Sequence, residues 1–261
     1  MGEIIFIEGA PCSGKTTYLN ILKDRLKCKN VRVFKEHYCD GIDISCQAYL
    51  RNDEFICFLE EIKRIKTNET DKLLTDILEN SRKLNNGFWL ISFAYLNARN
   101  DLLAEKLKYL YDKEIPNRGV SFDQYREIVL DLWRTFISNN IIGQKDVWIF
   151  EGALIQNHLY NLLGFYTSDI TEILGFINQL LSILKCKYTV YVVEYSNYSK
   201  SILLNARNRS KGNYNWENGF NKWLINSKLK KDVSITEFCL ECSEIYRRLI
   251  DKNIHIKMGG I

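Results

Sequence analysis

Eight residues near the start of the chain, Gly9-Ala10-Pro11-Cys12-Ser13-Gly14-Lys15-Thr16, have the types and spacing to hold a polyphosphate. They fit the P-loop pattern Gly-x-x-x-x-Gly-Lys-Ser/Thr. In that pattern glycines let backbone N–H groups close on the phosphates, the lysine reaches the β- and γ-phosphates, and the hydroxyl residue meets Mg²⁺. Lys15 is therefore the expected phosphate clamp and Thr16 the expected metal contact. Gly9, Ala10, Pro11, Cys12, Ser13, Gly14, Lys15, Thr16 and Thr17 form the expected contact set for ATP. A strand-to-helix turn can carry Gly and Ser/Thr for purely local reasons, so the flanks decide. Ile4-Ile5-Phe6-Ile7 before the turn reads as a buried strand, and Tyr18, Leu19, Leu22 and Leu26 after it recur at helical spacing.

Phosphoryl transfer also needs a metal holder, a base or acceptor site, and positive charge for the transition state. Glu151 ends the apolar run Val147-Trp148-Ile149-Phe150 and is the acid expected to complete the Mg²⁺ shell, directly or through water. After the β-prone stretch Val31–Phe34 come Glu36, His37, Tyr38, Asp40 and Asp43. In open parallel sheets ligands sit at the carboxyl ends of strands, so Glu36 is the first choice of base and Asp40 the second. His37, Tyr38 and Asp40 are candidates to bind the acceptor. Arg207, Arg209 and Lys211, flanked by Gly212 and Gly219, suit a lid whose guanidinium groups give paired donors to phosphate oxygens.

The elements that must position these groups read as an α/β chain. Core strands are expected at residues 2–8, 30–34, 146–152, 188–194 and 254–257, with helices at 18–27, 169–185 and from 234 to about 252. Ser121-Phe122-Asp123-Gln124 and Ser234-Ile235-Thr236-Glu237 read as capping boxes. Phe122, Tyr125, Val129, Leu132, Trp133 and Phe136 form a helical stripe expected in the core. The pattern from about Cys46 to Leu84 and from Leu96 to Tyr111 is helical, with Phe88–Ser92 a short strand. The expected architecture is one domain over residues 1–261, a three-layer P-loop NTPase fold with a five-stranded parallel sheet. Between its second and third core strands, at about 44–140, lies a helical layer.

Composition narrows the partners. The net charge of +4, set against 36 basic and 32 acidic residues in 261, gives no support to nucleic-acid binding. No cationic leader followed by an apolar run opens the chain, and the run at 88–96 is far shorter than the roughly 20 residues that span a bilayer. The eight cysteines show no zinc framework, and Cys239 and Cys242 read as core residues one helical turn apart. A cytoplasmic protein is expected, with a nucleoside triphosphate, a small-molecule acceptor and, at most, a second copy of itself as partners.

On Gly9–Thr17, Glu36, Phe150-Glu151-Gly152 and Arg207–Lys211, the chain resembles the nucleoside and nucleotide kinase branch of P-loop proteins. It is most similar to bacterial thymidylate-kinase-like and deoxynucleoside-kinase-like proteins. The resemblance implies that Glu36 is the base and that Arg207 and Arg209 close on the phosphates. Those kinases usually carry Glu-Arg-Ser or Asp-Arg-Tyr at the end of the third strand, whereas Glu151-Gly152-Ala153 lacks the arginine. The acceptor is accordingly expected to be a hydroxyl or phosphate on a nucleoside-, sugar- or antibiotic-like molecule. The competing expectation is a P-loop ATPase whose hydrolysis drives a conformational or binding event. No Asn-Lys-x-Asp guanine-reading stretch is present, since Asn221-Lys222-Trp223-Leu224 lacks the acid. If Glu36 is the base, Glu36→Gln spares ATP binding measured by calorimetry but stops transfer; a normal transfer rate in that variant refutes the assignment.

Overall fold

The structure is a computed structural model that describes residues 3–26, 30–35, 42, 44, 46–84, 86–93, 96, 100–116, 119–141, 145–184, 186–194, 204–205, 208, 216–252 and 256–259. Along the chain, β1 (Glu3–Glu8), α1 (Lys15–Arg25) and β2 (Val31–Phe34) precede β3 (Gln47–Leu50), α2 (Asn52–Arg64), α3 (Thr70–Glu79), β4 (Ser81–Lys83), β5 (Trp89–Ser92) and α4 (Asp101–Asp112). Next come α5 (Phe122–Phe136), β6 (Val147–Glu151), α6 (Gln156–Asn161), α7 (Ile170–Ile183), β7 (Lys187–Val193), α8 (Trp216–Asn226), α9 (Ile235–Lys252) and β8 (Ile256–Gly259). The chain divides into two compact units, Met1–Ile42 with Arg126–Ile261, and Asp43–Tyr125.

The first unit is a mixed α/β assembly on a parallel sheet of order β2-β6-β1-β7-β8. Side chains alternate across a strand, and β1 is apolar on both faces because each face is covered. Ile5 and Ile7 pack with Tyr18 and Leu19 of α1. Phe6 points the other way, with its ring centroid 5.6 Å from that of Trp133 on α5 and 5.6 Å from that of Phe150 on β6. Phe34 and Phe136 extend this aromatic cluster, at 4.9 and 5.7 Å from Phe150. A strand buried on both faces reads as a continuous apolar run, which is why β1 and β6 were legible.

Both expected capping boxes form. The Ser121 hydroxyl accepts from the Gln124 N–H at 3.2 Å while Gln124 Oε1 accepts from the Ser121 N–H at 3.0 Å. At the start of α9, Ser234 and Glu237 exchange the same pair of bonds, at 3.3 and 2.9 Å. Cys239 and Cys242 of α9 are wholly buried, as core residues.

The second unit holds the short strand expected at Phe88–Ser92 as β5, but corrects the expectation that the rest of the layer is helical. It holds an antiparallel sheet of order β3-β5-β4, packed with α2, α3 and α4 around Leu50, Phe58, Ile62, Ile77, Ile91 and Leu103. Two of these strands left no alternating trace in the sequence. β3 is four residues long and buried throughout, and β4 is Ser-Arg-Lys. The helix expected from Leu96 begins instead at Asp101, where the Asn100 side chain caps it by accepting from the Leu102 N–H at 3.0 Å. The segment expected at about 44–140 also ends early as a unit, because Trp133 and Phe136 of α5 belong to the aromatic cluster of the parallel sheet. Among the described residues no helix is long and apolar enough to cross a membrane.

Trp133 is 0% exposed at the centre of that cluster. Trp133→Ala is expected to cost roughly 3–5 kcal/mol, read as a lowered urea midpoint.

Candidate functional site

The site grows from the carboxyl end of β1. Gly9 leaves the strand with φ 151°, and a Cβ placed there would lie 2.4 Å from the Val193 carbonyl oxygen and 2.6 Å from Ser13 Oγ. The first contact is with backbone, so no side chain fits. Cys12 adopts a left-handed conformation (φ 61°), which disfavours a residue with a Cβ by roughly 1–2 kcal/mol. The Ser13 N–H returns to the Ala10 carbonyl at 3.2 Å. Gly14, at φ 94°, occupies the N-cap position of α1. With no side chain there, none of the donors in the first helical turn is taken by a cap, and that end of the helix carries the positive side of its dipole. The helix thus starts at the motif lysine, three residues before the expected Tyr18.

Lys15 is 2% exposed. Its ammonium donates to the carbonyls of Gly9 (3.1 Å) and Ala10 (3.2 Å), across the loop it would use to hold a phosphate. The Thr16 hydroxyl donates to Glu151 Oε1 at 2.5 Å. Parallel pairing sets this contact: Ile7 of β1 lies opposite Glu151 of β6, so the strand that enters the loop and the strand that ends in the acid finish side by side. Glu151 is itself buried. Thr17 is exposed, while Ala10, Pro11, Cys12 and Ser13 are buried.

Sequence reasoning gave Glu8 no role, yet it is the most unusual group in the site. It is 0% exposed, and its two carboxylate oxygens accept from the N–H groups of Leu154 and Gln156, each at 2.9 Å. Burial pushes its carboxyl up to about 7, against the lowering effect of these backbone bonds and of the Lys15 charge. The available signal was an acid at the last position of an otherwise apolar strand, directly before the loop glycine. His158, on α6, is also wholly buried, and desolvation holds its imidazole down to about 3. It is therefore neutral, and its ring stands edge-on to Phe176.

A second group missed from the sequence is Asn205, whose side-chain amide donates to the Cys12 carbonyl at 3.1 Å. A shallow cleft beside the loop is lined by Ala10, Val193, Glu194, Ser243, Tyr246 and Arg247. On its rim Arg247 pairs with Glu194 at 2.9 Å. Glu36, His37, Tyr38, Asp40, Asp43, Arg207, Arg209 and Lys211 lie outside the described residues. The structure therefore brings together the loop, Lys15, Thr16 and Glu151 from the expected set.

Two observations bear on whether this loop fits a phosphate and a divalent ion. The Ser13 hydroxyl is buried and has no hydrogen-bond partner among the described residues, an arrangement that costs about 1–3 kcal/mol unless a partner satisfies it. The Thr16–Glu151 pair offers oxygen donors of the hard type that Mg²⁺ takes, with room left for water and phosphate in its shell. Among the described residues no group of three or more His, Cys, Asp or Glu side chains could hold a metal. By those two observations the residues fit.

No protein-family model matches the chain, and no curated protein matches it. Among solved structures it is similar to the one titled "Structure of pnob8 ParA", at 14% identity over 97% of this chain and 100% of that one, with a TM-score of 0.25. Such a value carries no argument about fold or function.

The two buried titrating groups act on stability in opposite directions. Glu8 is held above its ordinary 4.5, so its contribution is full below that pH and is lost as pH rises through about 7. His158 is held below its ordinary 6.5, so its contribution is full above that pH and is lost as pH falls toward about 3. Glu8→Gln removes the first effect alone. Between pH 4.5 and 7 the stability of this variant relative to the parent is expected to rise by about 1.4 kcal/mol per pH unit, on the order of 3 kcal/mol in all, read from paired urea melts. Equal slopes in the two proteins would contradict it.

Proposed function

We propose that this chain is an ATP- and Mg²⁺-dependent phosphotransferase built on a P-loop NTPase fold, acting on a hydroxyl or phosphate of a small molecule. The observation that carries the reading is the Thr16–Glu151 contact of 2.5 Å, a hydroxyl from the first turn of α1 and a carboxylate from the end of β6, beside a glycine-rich loop with a buried lysine. The motif alone supports nucleotide binding; the contact adds an acid at the place where a metal shell needs one.

In this reading the loop backbone and the first turn of α1 receive the phosphates, and Ser13 finds the partner it lacks. Lys15 leaves the Gly9 and Ala10 carbonyls and turns its ammonium to the terminal phosphates. Mg²⁺, when bound, neutralises charge on the phosphate oxygens. Thr16 and Glu151 would hold it, and Glu36 takes the proton of the acceptor hydroxyl. Arg207 and Arg209 supply positive charge to the phosphoryl group in transit, and Lys211, His37, Tyr38 and Asp40 bind the acceptor. A single acid at the end of β6, where a motor-type ATPase would carry adjacent acids, favours transfer to an acceptor over hydrolysis.

The test is incubation with γ-labelled ATP and Mg²⁺ in the presence of pooled nucleosides, nucleotides, sugars and aminoglycoside-like compounds. Label is expected in an acceptor; acceptor-independent release of phosphate instead would mean an ATPase. Lys15→Ala is expected to lower turnover by roughly 10²–10³-fold, since it removes charge stabilisation of the transferred group. Arg207→Ala and Arg209→Ala are expected to lower kcat, and an effect confined to KM would count against a lid.

A further inference from the structure

We infer that Glu8 is a positioning residue, a clamp through which β1 fixes the turn that aims Glu151 at Thr16. The inference rests on the proposed reading for what Glu151 and Thr16 hold, and on geometry alone for the clamp.

The segment after β6 has reason to wander. Gly152 takes φ 70°, a left-handed turn immediately after Glu151, and no Cβ restrains it. Bonds from the last two residues of β1 hold this stretch. The Ile7 carbonyl accepts from the Gly152 N–H at 2.9 Å, and the Glu8 carboxylate accepts from Leu154 and Gln156. The two N–H groups leave the same turn two residues apart and meet different oxygens, which suits a side chain with two equivalent acceptors. A glutamine of the same length could accept one and would turn an N–H against the other. A carboxylate is a costly choice for a wholly buried position, and an aliphatic side chain would suit the apolar strand better.

The location explains the choice. Glu8 is bonded in sequence to Gly9, the first residue of the phosphate loop, and by hydrogen bonds to the turn that follows Glu151. One residue thereby couples the register of the loop to the register of the acid. Ligands of a metal are commonly oriented by such outer partners, whose loss costs about 10–100-fold in metal affinity or activity. Errors of about 1 Å in a reacting site are comparably expensive. A purely structural role predicts something else: removing Glu8 would change stability and leave the metal response alone.

The experiment uses the full chain with Glu8→Gln, Glu8→Asp and Glu151→Gln. Calorimetric titrations of ATP are run in EDTA and in excess Mg²⁺. The parent protein is expected to bind more tightly with the metal. Glu8→Gln is expected to keep metal-free affinity within about 3-fold and to lose roughly 10-fold of the Mg²⁺-dependent gain, as a displaced Glu151 would. Glu151→Gln should lose the same gain, and the double variant little more than either single one. A full Mg²⁺ response in Glu8→Gln overturns the inference. Should Glu8→Gln fold poorly, Glu8→Asp keeps the carboxyl group but is too short to span both N–H groups, and the same loss is expected. Hydrogen exchange at Leu154 and Gln156 is followed without nucleotide; Glu8→Gln should speed at least one of these amides about 10-fold or more, since a lost partner worth about 1.4 kcal/mol is tenfold in an opening equilibrium. Unchanged exchange refutes the clamp whatever binds. If exchange responds but the parent protein binds no ATP under either condition, the proposed function fails and the clamp stands.

Discussion

No carbon atom can be added to residue 9. The Val193 carbonyl on one side and Ser13 on the other leave room for a hydrogen alone, and this close approach of backbone to backbone lets the chain leave β1 and turn at once into the loop. The consequences follow in order. The loop is short enough to end in a left-handed Gly14, α1 starts at Lys15 with no side-chain cap at its N-cap residue, and the Lys15 ammonium lies over the Gly9 and Ala10 carbonyls. With a larger residue at position 9, β1 and β7 would have to separate at the point where the parallel sheet carries its site.

The same end of the sheet concentrates buried polarity. Glu8, Ser13, Lys15, Glu151, Gln156, Asn157 and His158 are all buried, in a region where apolar atoms would be cheaper. The aromatic cluster of Phe6, Phe34 and Phe150 on the strands with Trp133 and Phe136 on α5 supplies apolar burial that offsets this cost. Local sequence rules and global packing disagree in this region, as they commonly do at functional sites.

How much was legible follows from what each residue has to satisfy. The loop was readable because its glycines and its lysine answer to local geometry, and the parallel strands because burial on both faces leaves an unbroken apolar run. Glu151 was readable from one acid closing such a run. Glu8 closes a similar run, but its reason lies 146 residues away at Leu154, and nothing in its neighbours announces that partner. β3 and β4 were missed because four buried residues, or three polar ones, show no period. Asn205 was missed because its partner is a backbone carbonyl, which has no sequence signature. The acid-rich stretch after β2 and the basic stretch after β7 keep the status the sequence gives them, as the proposed base and lid.

The sheet order β2-β6-β1 has a consequence for how the chain is assembled. Residue 3 pairs with residue 147 and residue 31 with the same residue on its other side, so the central pairings wait until most of the polypeptide exists. Closure of such a long span slows folding, but its thermodynamic cost grows only with the logarithm of the intervening length, about 0.6 kcal/mol for each doubling. The segment 43–125 sits inside that span and carries its own sheet and its own apolar centre. As far as the closure entropy of the parallel pairings is concerned, the length of that segment is thus nearly free to vary.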